Sequence, residues 1–296
     1  MMKIRTIVTA IAMLTGVAIA SPTTAQQCDR ACLGNLVNVY VDALLANDPT
    51  GLPVTENVRV TENSRVIPLG EGLFGTVTGR GTFRHDYLDT LRQVAAAHVE
   101  LLQGDKPVLL AVALHIEGGR IAGIENIVEI VEPGDRFQPR VLGEPVRGLD
   151  DPLPAGQRMT RETMLATAMS YAEGLRIGNF TDAGTQFAPE TYRVENGVIT
   201  AGQGCAFAAC GMYEGGIMLH PSLIPSVVAI DEENGTVLLW MNFGDTASYG
   251  PGEALVTFEA FKVWGGQIHA INAFFSFLPA RMQRFWPSEE PLPRRF

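Results

Sequence analysis

Most signatures that tie a sequence to a chemistry at sight are missing from this chain of 296 residues. There is no Gly-x-Ser-x-Gly elbow, no phosphate loop and no dinucleotide fingerprint at a strand–helix junction. No His-Glu-x-x-His or comparable pattern occurs, so neither a metal nor a cofactor is expected. Positive charge is short: 22 Lys and Arg against 32 Asp and Glu give a formal charge of −10. Such a surface repels phosphate backbones and anionic membranes, which argues against a nucleic-acid partner.

Apolar runs long enough to span a membrane are also missing. The one candidate, Ile7–Ala20, is short and follows Lys3 and Arg5, the pattern of a secretory signal. Cleavage after Ala25 or Ala20 would free a chain bound for the periplasm or the exterior. Losing residues 1–25 moves the formal charge from −10 to −12. Cys28 lacks the small-residue lead of a lipoprotein signal, so no anchor is expected. Cysteines number four, Cys28, Cys32, Cys205 and Cys210. Export permits disulfides, either two local bridges or two between the halves. Free thiols or zinc compete with that reading, although neither spacing is a recognised ligand pattern.

What the chain does contain, it contains twice. His115–Val128 reads HIEGGRIAGIENIV and Lys262–Phe275 reads KVWGGQIHAINAFF, with the Gly-Gly pairs offset by 147 residues. Each is an apolar strand, a Gly-Gly turn and a second strand, since Gly-Gly tolerates the positive φ of a tight hairpin. Upstream, Leu33–Asn47 and Met164–Gly178 carry helical stripes on which Tyr40 and Leu44 match Tyr171 and Leu175. Val58–Asn63 aligns with Tyr192–Asn196 to within one residue. Three landmarks in the same order indicate an internal duplication. Further strands are predicted over 94–103, 107–117 and 120–131, then over 226–231, 236–243, 254–263 and 267–277. The expected organisation is a signal over 1–25, a first unit over 28–132, a linker over 133–159, a second unit over 160–285 and a tail over 286–296.

Helix first and meander last is an α+β order, with helices packed on one face of a curved antiparallel sheet that leaves a conical cavity. Each half resembles the nuclear transport factor two-like fold in its SnoaL-like branch. Thr61-Glu62-Asn63 followed by Leu69–Gly75, and Glu259–Val263, are similar to segments of a largely uncharacterised exported subfamily. The resemblance implies two tandem cone-shaped α+β barrels and a pocket for a small apolar or aromatic molecule. It implies either a cofactor-free isomerase, dehydratase or lyase, or a non-catalytic ligand-binding or scaffold protein. It further implies that the halves pair sheet to sheet as an internal pseudo-dimer. Branches of the family differ in catalytic residues, and no complete motif carries over.

The residues themselves offer Glu259 as the leading acid/base candidate. It shares a strand face with Leu255, Thr257, Phe261 and Val263, where desolvation would raise its pKa. The competing reading is a carboxylate held by Arg or backbone donors, or facing solvent. His220 and Tyr213, in the stretch GMYEGGIMLHP, are its candidate partners. Tyr40 and Tyr171 on the helix stripes, Glu62 and Glu195 at matching strand positions, Trp240 and Phe261 complete the candidate pocket lining. The recurrence of the Glu-Asn pairs favours a structural role, such as capping or closing the pocket wall. His115 is expected to point outwards, and Arg84-His85-Asp86-Tyr87 reads as a surface turn.

Overall fold

Both helical stripes form helices, and each is closed by its own sequence. Helix α1 spans Arg30–Ala46 and α2 spans Arg161–Ile177. Asp29 caps α1 by accepting from the Cys32 N–H, and Thr160 caps α2 by accepting from Thr163. Asn47 and Gly178 end them in the left-handed conformation, which leaves the last carbonyls bonded. The computed structural model describes residues 27–140, 149, 151–206, 208–214, 219–246, 248–286 and 292. The expected signal, the middle of the linker and most of the tail lie outside them.

After each helix come six strands. In the first half these are β1 (Val54–Glu62), β2 (Arg65–Ile67), β3 (Gly79–Asp89), β4 (Val94–Gln103), β5 (Lys106–Glu117) and β6 (Arg120–Ile130). The second half has β7 (Phe187–Glu195), β8 (Val198–Gly202), β9 (Ile224–Asp231), β10 (Thr236–Asn242), β11 (Glu253–Trp264) and β12 (Gln267–Pro279). The sheets run β2-β1-β6-β5-β4-β3 and β8-β7-β12-β11-β10-β9, the same order position by position. The Gly-Gly pairs turn β5 into β6 and β11 into β12, all four glycines having positive φ.

The strands depart from the sequence reading at several points. Neither sheet is wholly antiparallel: β1 runs parallel to β6, and β7 parallel to β12. The Arg84–Tyr87 segment is no turn but part of β3. Its odd positions Phe83, His85 and Tyr87 are buried, while Arg84 faces α1 and bonds Asn38. Of the two offsets the sequence left open, pairing with β6 and β12 selects 133, which equates Val60 with Arg193 and keeps Glu62 with Glu195. Arg59 instead stacks over Phe285.

Each sheet has two buried faces, which is why simple alternation is hard to read here. On β5, Val108, Leu110, Val112 and Leu114 pack with α1 in the first core. Leu109, Ala111 and Ala113 pack across into a shared core with Val256, Phe258, Ala260 and Phe274 of the second sheet. The halves are thus joined face to face, and small side chains on β5 admit the large ones opposite. His115 lies on this shared side and stacks on Trp286 with ring centroids 4.7 Å apart, so the outward orientation is corrected. The cysteines close two local bridges, Cys28–Cys32 and Cys205–Cys210.

Candidate functional site

The inner face of the second sheet differs from that of the first by a few polar side chains. Helix α2 presents Tyr171 to it, fully buried against Phe180 and Phe261. Strand β7 sends Tyr192 and Val194 into the shared core, so Arg193 and Glu195 take the opposite face. On β11 the odd positions Leu255, Phe261 and Val263 belong to the inner core, and Glu259 stands among them at 2% exposure.

These groups are connected. Arg193 donates from Nη1 to the Tyr171 hydroxyl at 3.0 Å and from Nε to Thr200 Oγ1 at 2.9 Å. Its Nε also lies 3.4 Å from Glu195 Oε2. The Tyr171 phenol is in turn a neighbour that favours the ionised form of Glu259. One guanidinium therefore holds a phenol that neighbours a buried carboxyl group. Burial, reinforced by the Glu195 charge and opposed by Arg193 and Tyr171, pushes the Glu259 carboxyl up to about 8. Its Oε1 is buried and has no hydrogen-bond partner among the described residues. Burial likewise raises the Tyr171 phenol.

Tyr249, from the loop between β10 and β11, feels the charges of Glu195, Arg193 and Glu259. Its ring lies parallel to that of His220, with its hydroxyl 3.4 Å from Nε2. Desolvation lowers His220 to about 4, so it is neutral at pH 7. Tyr213 does not join them. Its hydroxyl donates to Thr185 O and accepts from the Phe187 N–H at 3.1 and 3.2 Å, which pins a loop to the start of β7. The phenol beside Glu259 is that of Tyr171.

Trp240 is also displaced from the expected pocket, because even positions of β10 face the other half and it belongs to the shared core. Phe261 does line the inner face. In the first half the matching positions tell a different story. Val112 replaces Glu259 and Val60 replaces Arg193. Tyr40 accepts from Asn126 Nδ2 at 2.7 Å and meets the edge of Phe74, which enters from the short 3-10 helix Gly72–Gly75. Glu62 accepts from the Leu73 N–H and so fastens that helix, although burial raises its pKa. Leu73, Phe74 and Val77 complete an apolar core. The charged cluster is a property of the second half.

Arg193, like Tyr249, is a member that sequence reading missed as a site residue. Its signal was an arginine alternating with Tyr192 and Val194, legible only once their face was known to be the shared one. Among the described residues no helix is long and apolar enough to cross a membrane.

Residues 157–275 match a family model described as a domain of unknown function (DUF8021). That span holds Tyr171, Arg193, Glu195, His220, Tyr249 and Glu259. Among solved structures, a protein provisionally assigned as a ketosteroid isomerase from Kribbella flavida DSM 17836 is similar at 19% identity and a TM-score of 0.27. The match covers 42% of this chain and 92% of that one. No curated protein sequence matches the chain.

Proposed function

We propose that the second half carries out cofactor-free proton transfer on a small, largely apolar or aromatic molecule, as in an isomerisation, dehydration or lyase step. The observation that supports this most is Glu259: a buried carboxyl group with one oxygen unpartnered, beside a phenol that Arg193 holds in place. A carboxyl titrating near 8 exchanges protons readily around neutral pH. Tyr171 would stabilise developing negative charge on the substrate, with Arg193 positioning it. Tyr249 and His220 would border the site, and Phe261 would line it. In this reading each half is a cone-shaped unit of the nuclear transport factor two-like kind, derived by tandem duplication, and the first half is a filled copy that supports the second. Lys3, Arg5 and Ile7–Ala20, with the two disulfide bridges, favour export to the periplasm or beyond.

The test is exchange of acidic C–H protons for deuterium in a panel of small aryl ketones, with and without an amino group, followed by NMR in D2O. Wild type should accelerate exchange on at least one compound, and Glu259→Gln should lower that rate by about 10²-fold or more. Compounds that stabilise the protein without exchanging would favour the second reading, a non-catalytic binding or scaffold protein. That reading draws on the closed interior of the first half and its broad contact with the second.

A further inference from the structure

The polar groups around Glu259 do not balance, and the imbalance describes what they would bind. Arg193 is the one guanidinium brought to the cluster by the described residues, and it already serves Tyr171, Thr200 and Glu195. Lys262, although on the same strand, reaches the Asp151 carbonyl instead. His220 is neutral. Two carboxyl groups therefore share one cation, and the Glu195 charge opposes ionisation of both Glu259 and Tyr249. Glu259 Oε1, in a residue 2% exposed, is left without a donor.

Aromatic rings belong to the core on this same face, with Phe277 at its exposed edge. Tyr171 and Phe261 lie 5.0 Å apart by centroids, Phe275 and Phe277 5.5 Å, and Tyr249 and Phe277 5.6 Å. Ring faces attract cations, and more strongly where water is excluded. The chain's formal charge of −10 adds a long-range pull of the same sign.

We propose that the second half binds a small molecule carrying a protonated amine on an aromatic or alicyclic body, with the ammonium group donating to Glu259 Oε1. This rests on the reading that the second half holds a small ligand, and it narrows the ligand's chemistry. The ammonium supplies both the missing donor and the missing countercharge, so it binds the ionised carboxylate. At pH 7 the proton resident on Glu259 leaves to solvent as the amine enters, close to one proton per amine bound.

The experiment is calorimetry and thermal unfolding of the signal-free protein with benzylamine and cyclohexylmethylamine, against benzyl alcohol and cyclohexylmethanol. Titrations at pH 7 in phosphate and in Tris, whose ionisation enthalpies differ, count the protons released. At least one amine should bind about tenfold or more tighter than its alcohol and raise Tm by about 2 °C or more at saturation. It should also release between about half and one proton. Glu259→Gln, which keeps the side chain's shape, should fold and lose both the preference and the proton. Glu195→Gln should weaken amine binding several-fold and leave alcohol binding alone. Alcohols that bind as tightly as amines, or amine binding without proton release, would overturn the cationic assignment and leave the pocket reading standing. Binding by no probe of either kind would count against both.

Discussion

Asp89, at the end of β3, forms a buried ion pair with Arg161, in the first turn of α2 of the other half. Its counterpart is Asp231, at the end of β9, which pairs with Arg30 in the first turn of α1 at 2.6 Å. The reciprocity extends to the backbone: the Ile230 N–H donates to Asp89 and the Leu88 N–H to Asp231. Each aspartate also accepts from the N–H three residues on, Arg92 or Asn234. The two halves are therefore clamped by equivalent bonds around an approximate twofold relationship.

The clamps should not be equal in energy. Arg161 is 13% exposed and Arg30 is 29%, so solvent screens the Arg30 pair more. Asp89→Asn should cost about 3 kcal/mol by removing the buried countercharge of Arg161. Asp231→Asn keeps one acceptor oxygen, so it should lose the charge and the bonds of the other oxygen, and still cost less, about 1–2 kcal/mol. Urea unfolding of both variants checks the order; equal losses, or none, would dissociate the clamp from stability.

His98 makes a second link, and its protonation state is dictated by its neighbours. Its Nδ1 accepts from Tyr87 Oη and Asn272 Nδ2 at 3.0 and 3.1 Å, which leaves Nε2–H to donate to Phe258 O at 3.1 Å. Burial and His85 hold it down to about 3, below the unfolded value of 6.5. Below pH 6.5 the unfolded chain therefore binds a proton that the fold refuses, and stability falls as pH drops towards 3. His220, lowered to about 4, acts with the same sign. His98→Gln should lower stability at pH 7 but flatten the acid slope by up to about 1.4 kcal/mol per pH unit. Unfolding curves between pH 4 and 7 measure the slope; an unchanged one would mean His98 is protonated in the fold.

Glu259 contributes with the opposite sign. Its folded pKa of about 8 exceeds the ordinary 4.5, so the fold retains a proton that the unfolded chain gives up. The associated stability is present below pH 4.5 and is lost as pH rises through 8. Glu259→Gln should match wild type near pH 5 and exceed it by on the order of 2 kcal/mol at pH 8.5. Chemical denaturation at the two pH values checks this, and a variant weaker at pH 8.5 would contradict it.

Arg193 should tune the same group. Its charge lowers the Glu259 pKa, and it holds the Tyr171 oxygen. Arg193→Met should therefore raise the Glu259 midpoint and slow any proton-transfer step. Tyr171→Phe should remove a phenol that favours the ionised carboxyl and raise the midpoint by a smaller amount. The pH dependence of ketone exchange in both variants gives the comparison, and a downward shift in Arg193→Met would exclude the charge as the cause.

Much of this fold could be read from periodicity, because Tyr40 and Tyr171 sit on plain helical stripes and both Gly-Gly pairs require hairpins. Glu259 was legible for a related reason: a carboxylate interrupts an apolar face at a fixed alternation. Strand β3 was hidden because its outward positions are Arg and Asp that bond α1 and each other, so it reads as a polar turn. Trp240 and Arg193 were misjudged or missed for a different reason. With both sheet faces buried, hydrophobicity does not say whether an alternate set faces the helix or the other half. The Asp89–Arg161 pair spans 72 residues, a relationship no local pattern encodes.

The most direct measurement is the titration of Glu259 itself. Carboxyl ¹³C shifts of glutamate-labelled protein, compared with those of Glu259→Gln, isolate one resonance across pH 4–10. The midpoint should lie near 8, with the carboxyl group protonated at neutral pH in the second half's interior. A midpoint near 4.5 would show an ordinary solvated or ion-paired carboxylate, and the proton-transfer site would have to be given up.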